Sequence, residues 1–261
     1  MRLFLKRIAA KFGYEIRHRP RALLLRPDAL LAADFHMVVG RLLLRRSPLW
    51  IVQVGAFDGV AWDWLHGYVR RGLMKGILIE PQKDVFERLR ANYRDCDGLH
   101  LENVAIAAED GEQRLYRLKP EYHRLSTTPE QLASFRPEVI MKHFKGMGVQ
   151  RETVLESESV RCLRIETLVR QHGLDRLDLL QIDAEGADGE ILRTCGLGRL
   201  RPSAIHYEHA HLGREEREQC WELLVREGYR FTHTPTDTLA LRKDEPGVFE
   251  GSPTPQAPRA R

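Results

Sequence analysis

No run of about 18 apolar residues occurs in the 261-residue chain, so the sequence contains no segment that reads as a membrane-crossing helix. The phosphate-binding pattern G-x-x-x-x-G-K-[ST] is missing, which argues against a nucleoside triphosphatase. Also missing is G-x-G-x-x-G, the turn that cradles a pyrophosphate on a helix N-terminus. Cysteines are few: Cys96, Cys162, Cys195 and Cys220 stand 66, 33 and 25 residues apart, a spacing that fits neither a zinc site nor a redox pair. They read as reduced, mostly buried thiols of a cytoplasmic protein. Nor does the start read as a convincing secretory signal, because Lys6, Arg7 and Lys11 interrupt the apolar residues before a signal core can form.

What the chain does have is an ordinary globular composition, 43% hydrophobic and 30% charged, at a length that buries one sizeable core. The net charge of +4 hides an asymmetry. Residues 1–46 hold eleven Lys or Arg against three acids, a surplus of eight, so the remainder carries −4. With Leu3, Phe4, Leu5, Ile8 and Phe12 among these cations, residues 1–26 have the makings of a basic amphipathic helix. Such a helix suits peripheral contact with an anionic membrane surface, or packing on the main domain with its basic face solvated.

Three short segments carry the chemistry. Residues 51–59 read IVQVGAFDG, residues 77–81 read ILIEP and residues 179–186 read LLQIDAEG, each an apolar strand ending on glycine or a carboxylate. The carboxyl ends of neighbouring parallel strands converge on one crevice, so three such endings point to one ligand site. Gly55 and Gly59 permit a sharp turn and a close approach of backbone to ligand. Glu80 stands 25 residues beyond Gly55, the separation at which an acid on the second strand holds ribose hydroxyls. Asp58 inside the turn would repel a pyrophosphate and attract a cation, so the pattern favours the sulfonium nucleoside S-adenosylmethionine over a nicotinamide dinucleotide.

Periodicity divides the chain into a basic N-terminal helical segment (1–48), a central domain (49–243) and a Pro-rich tail (244–261) that reads as disordered. Helices are predicted at 29–46, 60–71, 83–93, 166–172, 187–195 and 214–227. Strands are predicted at 49–54, 76–80, 99–107, 113–118, 160–163, 179–183 and 203–208, followed by a terminal hairpin at 229–232 and 238–242. The expected fold is α/β, a mostly parallel sheet with helices on both faces and a terminal antiparallel hairpin. Between 119 and 159 the pattern weakens around Pro120, Pro129, Pro137, Gly146 and Gly148, as in a lid or acceptor-binding insertion or a surface elaboration.

These segments resemble the FkbM-type S-adenosylmethionine-dependent methyltransferases over residues 50–242, through Val54 to Gly59, Ile79-Glu80-Pro81 with Phe86 and Leu89, Asn103-Val104-Ala105, Leu180 to Ala187 and Tyr207-Glu208-His209. The resemblance implies a Rossmann-like class I methyltransferase fold and methyl transfer to a hydroxyl of a sugar, glycan or natural product. One departure is Gln53, where relatives commonly carry an acid; Asp58 is the expected compensation.

On this reading Gly55, Asp58 and Gly59 face the methionine end of the cofactor, Glu80 the ribose, and Asn103 and Ala105 the adenine. Asp183 adjoins the cofactor and is the first candidate for the base, with Glu185, Glu208 and His209 sharing the role. His206, Glu208, His209 and His211 also have donors for a divalent metal together with Asp183 and Glu185, but no metal is expected. Ser126 and Thr127 either meet the acceptor or cap a helix near Pro129. A base-presenting N-P-P-Y signature is absent and the domain is net acidic, so no nucleic-acid partner is expected. The alternative function is a catalytically inactive binding module acting through its basic N-terminus.

Overall fold

In the computed structural model the described residues are 20–22 and 30–245. The expectations for the N-terminal segment before Leu30, other than Pro20 to Ala22, and for the tail beyond Glu245 lie outside them.

The first long helix, Phe35–Arg45, starts later than the predicted 29 because Asp34 caps it, its carboxylate accepting from the Met37 amide at 2.8 Å. The strands follow in chain order: β1 Leu49–Val54, β2 Met74–Ile79, β3 Leu99–Glu102, β4 Ala105–Ile106, β5 Gly111–Leu118, β6 Ala133–Ser134, β7 Leu155–Leu163, β8 Leu179–Ile182, β9 Ala204–Glu208, β10 Tyr229–His233 and β11 Asp237–Arg242. Seven of them form the main sheet in the order β10-β11-β9-β8-β1-β2-β3. The pairs from β3 to β9 are parallel, whereas β11 is antiparallel to both β9 and β10 and lies between them. This is the expected parallel sheet with an inserted antiparallel terminal strand.

Alternation along β1 divides the core between the two faces of the sheet. Val52 and Val54 pack with Leu180, Ile182, Tyr207 and the helices Ile165–Gln171, Asp188–Thr194 and Arg214–Arg226. Leu49 and Ile51 face the other way, toward Phe35, Val38 and Leu42 of the first helix and Phe86 and Leu89 of Lys83–Asn92.

The structure departs from the sequence pattern in three places, each with a local cause. The strand expected at 99–107 breaks after Glu102, because Asn103 turns its amide onto the carbonyls of Glu80 (2.8 Å) and Pro81 (3.0 Å). The strand expected at 160–163 begins at Leu155 and belongs to a second sheet, β4-β7-β5-β6, where β5 and β7 pair antiparallel over eight residues. That second sheet takes in parts of the 119–159 insertion, and beside it Leu118, Leu132, Ile140, Phe144, Val154 and Leu155 form a separate apolar cluster. Finally, only His66–Val69 of the expected 60–71 helix is α-helical. Upstream of it the carboxylate of Asp58 accepts from the Val60 and Ala61 amides, and that of Asp63 from the Leu65 amide, holding the backbone in side-chain-closed turns.

Candidate active site

At the carboxyl ends of β1, β2 and β8 the chain leaves the sheet around a cavity of about 300 Å³. Its floor is built by close approach. Gly55, at φ +75°, lies so near β8 that a Cβ there would stand 1.8 Å from the Asp183 carbonyl oxygen, so only glycine fits. The amides of Gly55 and Ala56 both donate to the Ile79 carbonyl, and Phe57 takes a positive φ of 50°. The Phe57 amide then reaches Glu80 Oε2 at 3.1 Å, while Gln82 N donates to Oε1 at 2.9 Å. Glu80 is therefore buried, 4% exposed, yet lines the cavity, and burial pushes its carboxyl up to about 7.

Beyond Glu80 the wall is apolar, with Ile79, Val104, Ala105, Ile106, Leu115 and Phe135. Gln131, Ala133 and Phe135 come from the insertion, which is thereby part of the cavity wall. Ser126 and Thr127 are not in that wall; Ser126 Oγ accepts from the Thr128 amide.

Opposite, the Asp183-Ala184-Glu185-Gly186 turn is fixed from behind. Buried Asp188 accepts from the amides of Ala184 (3.2 Å) and Gly186 (3.1 Å), and burial raises its carboxyl to about 6. Ser134 Oγ donates to the Glu185 carbonyl at 2.6 Å and Arg136 to that of Gly186 at 3.2 Å, so β6 latches the turn. Glu185 itself adopts a positive φ of 46°. Asp183 lines the cavity and is open to solvent there. The protein packed around it, followed by the charges of Asp188, Glu185, Asp237 and Glu80, raises its carboxyl well above the usual range. Glu208 is raised to about 9, by burial first and then by Asp183 and Glu185. His211 joins the group, its Nε2 3.1 Å from Glu185 Oε2 and 3.5 Å from Glu208 Oε2.

Gly55, Glu80, Ala105, Asp183, Glu185 and Glu208 thus share one cavity. Four other candidates lie elsewhere. Asp58 is not in the cavity wall; its carboxylate closes its own turn, and its carbonyl accepts from Asn92. Gly59 is a packing glycine, since a Cβ would meet Tyr93 Cε2 at 2.3 Å and Leu89 Cδ1 at 2.7 Å. Asn103 braces the exit of β2 instead of lining the cavity. His209 is buried beneath the terminal hairpin against Trp221, His233 and Thr238, and burial lowers its imidazole to about 4.

Sequence reasoning missed Asp63. It lines the cavity, accepts from Gln53 Nε2 at 3.0 Å, and is raised by burial. An acid ten residues after Gln53 thus stands beside it at the cavity. Gln53 also stands in cross-strand register with Gln181, which stands in register with His206, a polar row on one face of the sheet. His206 bonds Gln181 Oε1 at 2.9 Å, and Phe35 and Trp64 pack on its ring. Trp62 and Trp64 stand at the cavity with 82% and 48% of their surface exposed.

Among the described residues the cavity wall holds five carboxylates, Asp63, Glu80, Asp183, Glu185 and Glu208, and no Lys, Arg or His. Five acids without a cationic side chain among these lining residues disfavour a pyrophosphate and suit a cationic ligand.

The family model described as the methyltransferase FkbM domain matches residues 53–231. Among solved structures, the FkbM methyltransferase of Methylobacillus flagellatus KT is similar at TM-score 0.45 and 14% identity, covering 86% of this chain; the chain spans 48% of that protein's length. The O-methyltransferase of Bacillus cereus, solved with SAH, is similar at TM-score 0.39 and 11% identity, covering 85% of this chain and 89% of that one. The O-methyltransferase TomG of Streptomyces achromogenes, solved with SAM, gives TM-score 0.36 and 12% identity, with coverages of 91% and 96%. No curated protein matches.

Proposed function

The chain belongs to the methyltransferase FkbM domain family, and from that premise we propose that it binds S-adenosylmethionine in the 300 Å³ cavity and methylates a hydroxyl of a sugar, glycan or natural product. The observation that carries this reading is the cavity wall itself, with a buried carboxylate at one end, an acid cluster at the other, an apolar wall between and no cationic side chain among the described lining residues. Glu80 has its carboxylate preset by two backbone amides and keeps lone pairs for the two ribose hydroxyls. Val104, Ala105, Ile106 and Leu115 suit a flat adenine face. Asp63 and Gln53 suit the methionine ammonium and carboxylate, and the unpaired buried Oε1 of Gln53 is an acceptor without a donor until such an ammonium supplies one.

When bound, the cofactor supplies a methyl group on a cationic sulfur: the C–S bond breaks, its electron pair stays on the departing neutral thioether, and the O–CH₃ bond forms. The chain's part is to align the acceptor and take its proton, and the carboxylate of Asp183 is the group assigned that proton. Glu185 and Glu208 stand at the same cavity as Asp183. Trp62, exposed at the mouth, offers a plane for the apolar face of a sugar ring.

Calorimetric titration with S-adenosylhomocysteine tests the reading. Loss of the two ribose bonds in Glu80→Ala is expected to weaken binding about 100-fold. A folded wild type that binds neither S-adenosylhomocysteine nor S-adenosylmethionine would overturn it.

A further inference from the structure

Glu185, Glu208 and His211 come from three positions: the turn after β8, the end of β9 and the loop that follows it. Their donor atoms all lie within 4.8 Å of one another. His211 Nε2 stands 3.1 and 3.5 Å from the two carboxylate oxygens. Two ligands on one first-row cation, each at about 2.0–2.2 Å and separated by octahedral to tetrahedral angles, are themselves roughly 3.0–3.5 Å apart. Both His211 separations fall in that range.

An ion pair alone does not account for the group. Nε2 carries at most one hydrogen, and Glu185 Oε2 at 3.1 Å is the nearer acceptor of the two. Glu208 Oε2 is left shut off from solvent with no hydrogen-bond donor, which is costly for an acceptor that nothing else serves. A cation between the three satisfies all of them together. Ser134 holds the Glu185 backbone in place from behind.

The geometry points to a divalent first-row metal site formed by Glu185, Glu208 and His211. One imidazole with two carboxylates selects Mn²⁺ or Zn²⁺ above the hard ions Mg²⁺ and Ca²⁺. Glu185 and Glu208 also line the cavity, so the remaining coordination positions open toward the acceptor. Resting on the methyltransferase reading, the metal's task is to bind the acceptor oxygen and make its proton easier to remove, with Asp183 receiving that proton.

The test uses the full chain, stripped with EDTA, and two titrations of the same sample, one with Mn²⁺ and one with S-adenosylhomocysteine. About one Mn²⁺ per chain is expected, with affinity falling at least about tenfold in Glu208→Gln and in His211→Ala. Thermal melts check that each variant folds, and Glu185→Gln replaces either one that does not. A wild type that binds S-adenosylhomocysteine but no Mn²⁺, or folded variants that bind Mn²⁺ unchanged, overturns the metal site and leaves the cofactor reading standing. Mn²⁺ binding lost in the variants, in a wild type that does not bind S-adenosylhomocysteine, supports the site and overturns the methyltransferase reading instead.

Discussion

Asp58 and Asp63 sit five residues apart in one loop, and only the second lines the cavity. Both acids close a local turn, Asp58 with the Val60 and Ala61 amides and Asp63 with the Leu65 amide, but Asp63 also accepts from Gln53 Nε2 on β1, which ties it to the cavity. Sequence spacing placed Gly55, Glu80, Asp183, Glu185 and Glu208 at strand ends, and strand ends converge, a rule that needs no side-chain detail; the five line one cavity. It had no means of finding Asp63, which follows no strand and stands between two tryptophans without periodicity. Two predictions belong at this scale. Asp63→Asn is expected to weaken S-adenosylmethionine binding by roughly tenfold through loss of a charged partner, measured by calorimetry, whereas Asp58→Asn leaves it within about twofold. Gly55→Ala places a methyl against the Asp183 carbonyl, so a stability loss of about 3 kcal/mol or more is expected in urea unfolding.

At the scale of elements, β1, β2, β8, β9 and the hairpin were legible because buried parallel strands read as continuous apolar runs and their connecting helices keep a 3.6-residue period. The second sheet was not. Its strands β4 and β6 are two residues long and β5 is exposed over its first four residues, so no alternation marks them. The insertion read as weakly structured because its helices run only four to six residues, too short to express a period. Its role in the site rests on β6, whose Ser134 fixes the turn that carries Glu185. Ser134→Ala is expected to lower stability by about 1 kcal/mol and to reduce kcat more than the KM for S-adenosylmethionine. Equal changes in both parameters would place β6 on the cofactor side instead.

For the whole molecule, gathering acids around one cavity makes stability depend on pH. The carboxyls of Glu80 and Asp188 are raised by burial from 4.5 and 3.8 to about 7 and about 6. A raised acid favours the folded state while it is protonated in that state, so this contribution is fully present below about 4, where the unfolded chain is protonated as well, and is lost as pH rises through about 6 to 7. The cofactor-free protein is therefore expected to melt at a lower temperature at pH 8 than at pH 5.5, and Glu80→Gln to narrow that gap; an unchanged gap would mean that Glu80 is already ionised in the folded state. Ribose hydroxyls favour the ionised form of Glu80, so binding of S-adenosylhomocysteine near pH 7 is expected to release protons, detected as a dependence of calorimetric heat on the buffer's ionisation enthalpy.

The same ring of carboxylates decides between the two nucleoside cofactors that a parallel α/β sheet commonly holds. Direct comparison of S-adenosylmethionine and NAD⁺ binding to the wild-type chain, at neutral pH and one ionic strength, tests this most directly. Binding of S-adenosylmethionine at least about 100-fold tighter than NAD⁺ is the result expected from charge matching. Comparable or tighter binding of NAD⁺ would contradict the assignment of the cavity to a cationic methyl donor.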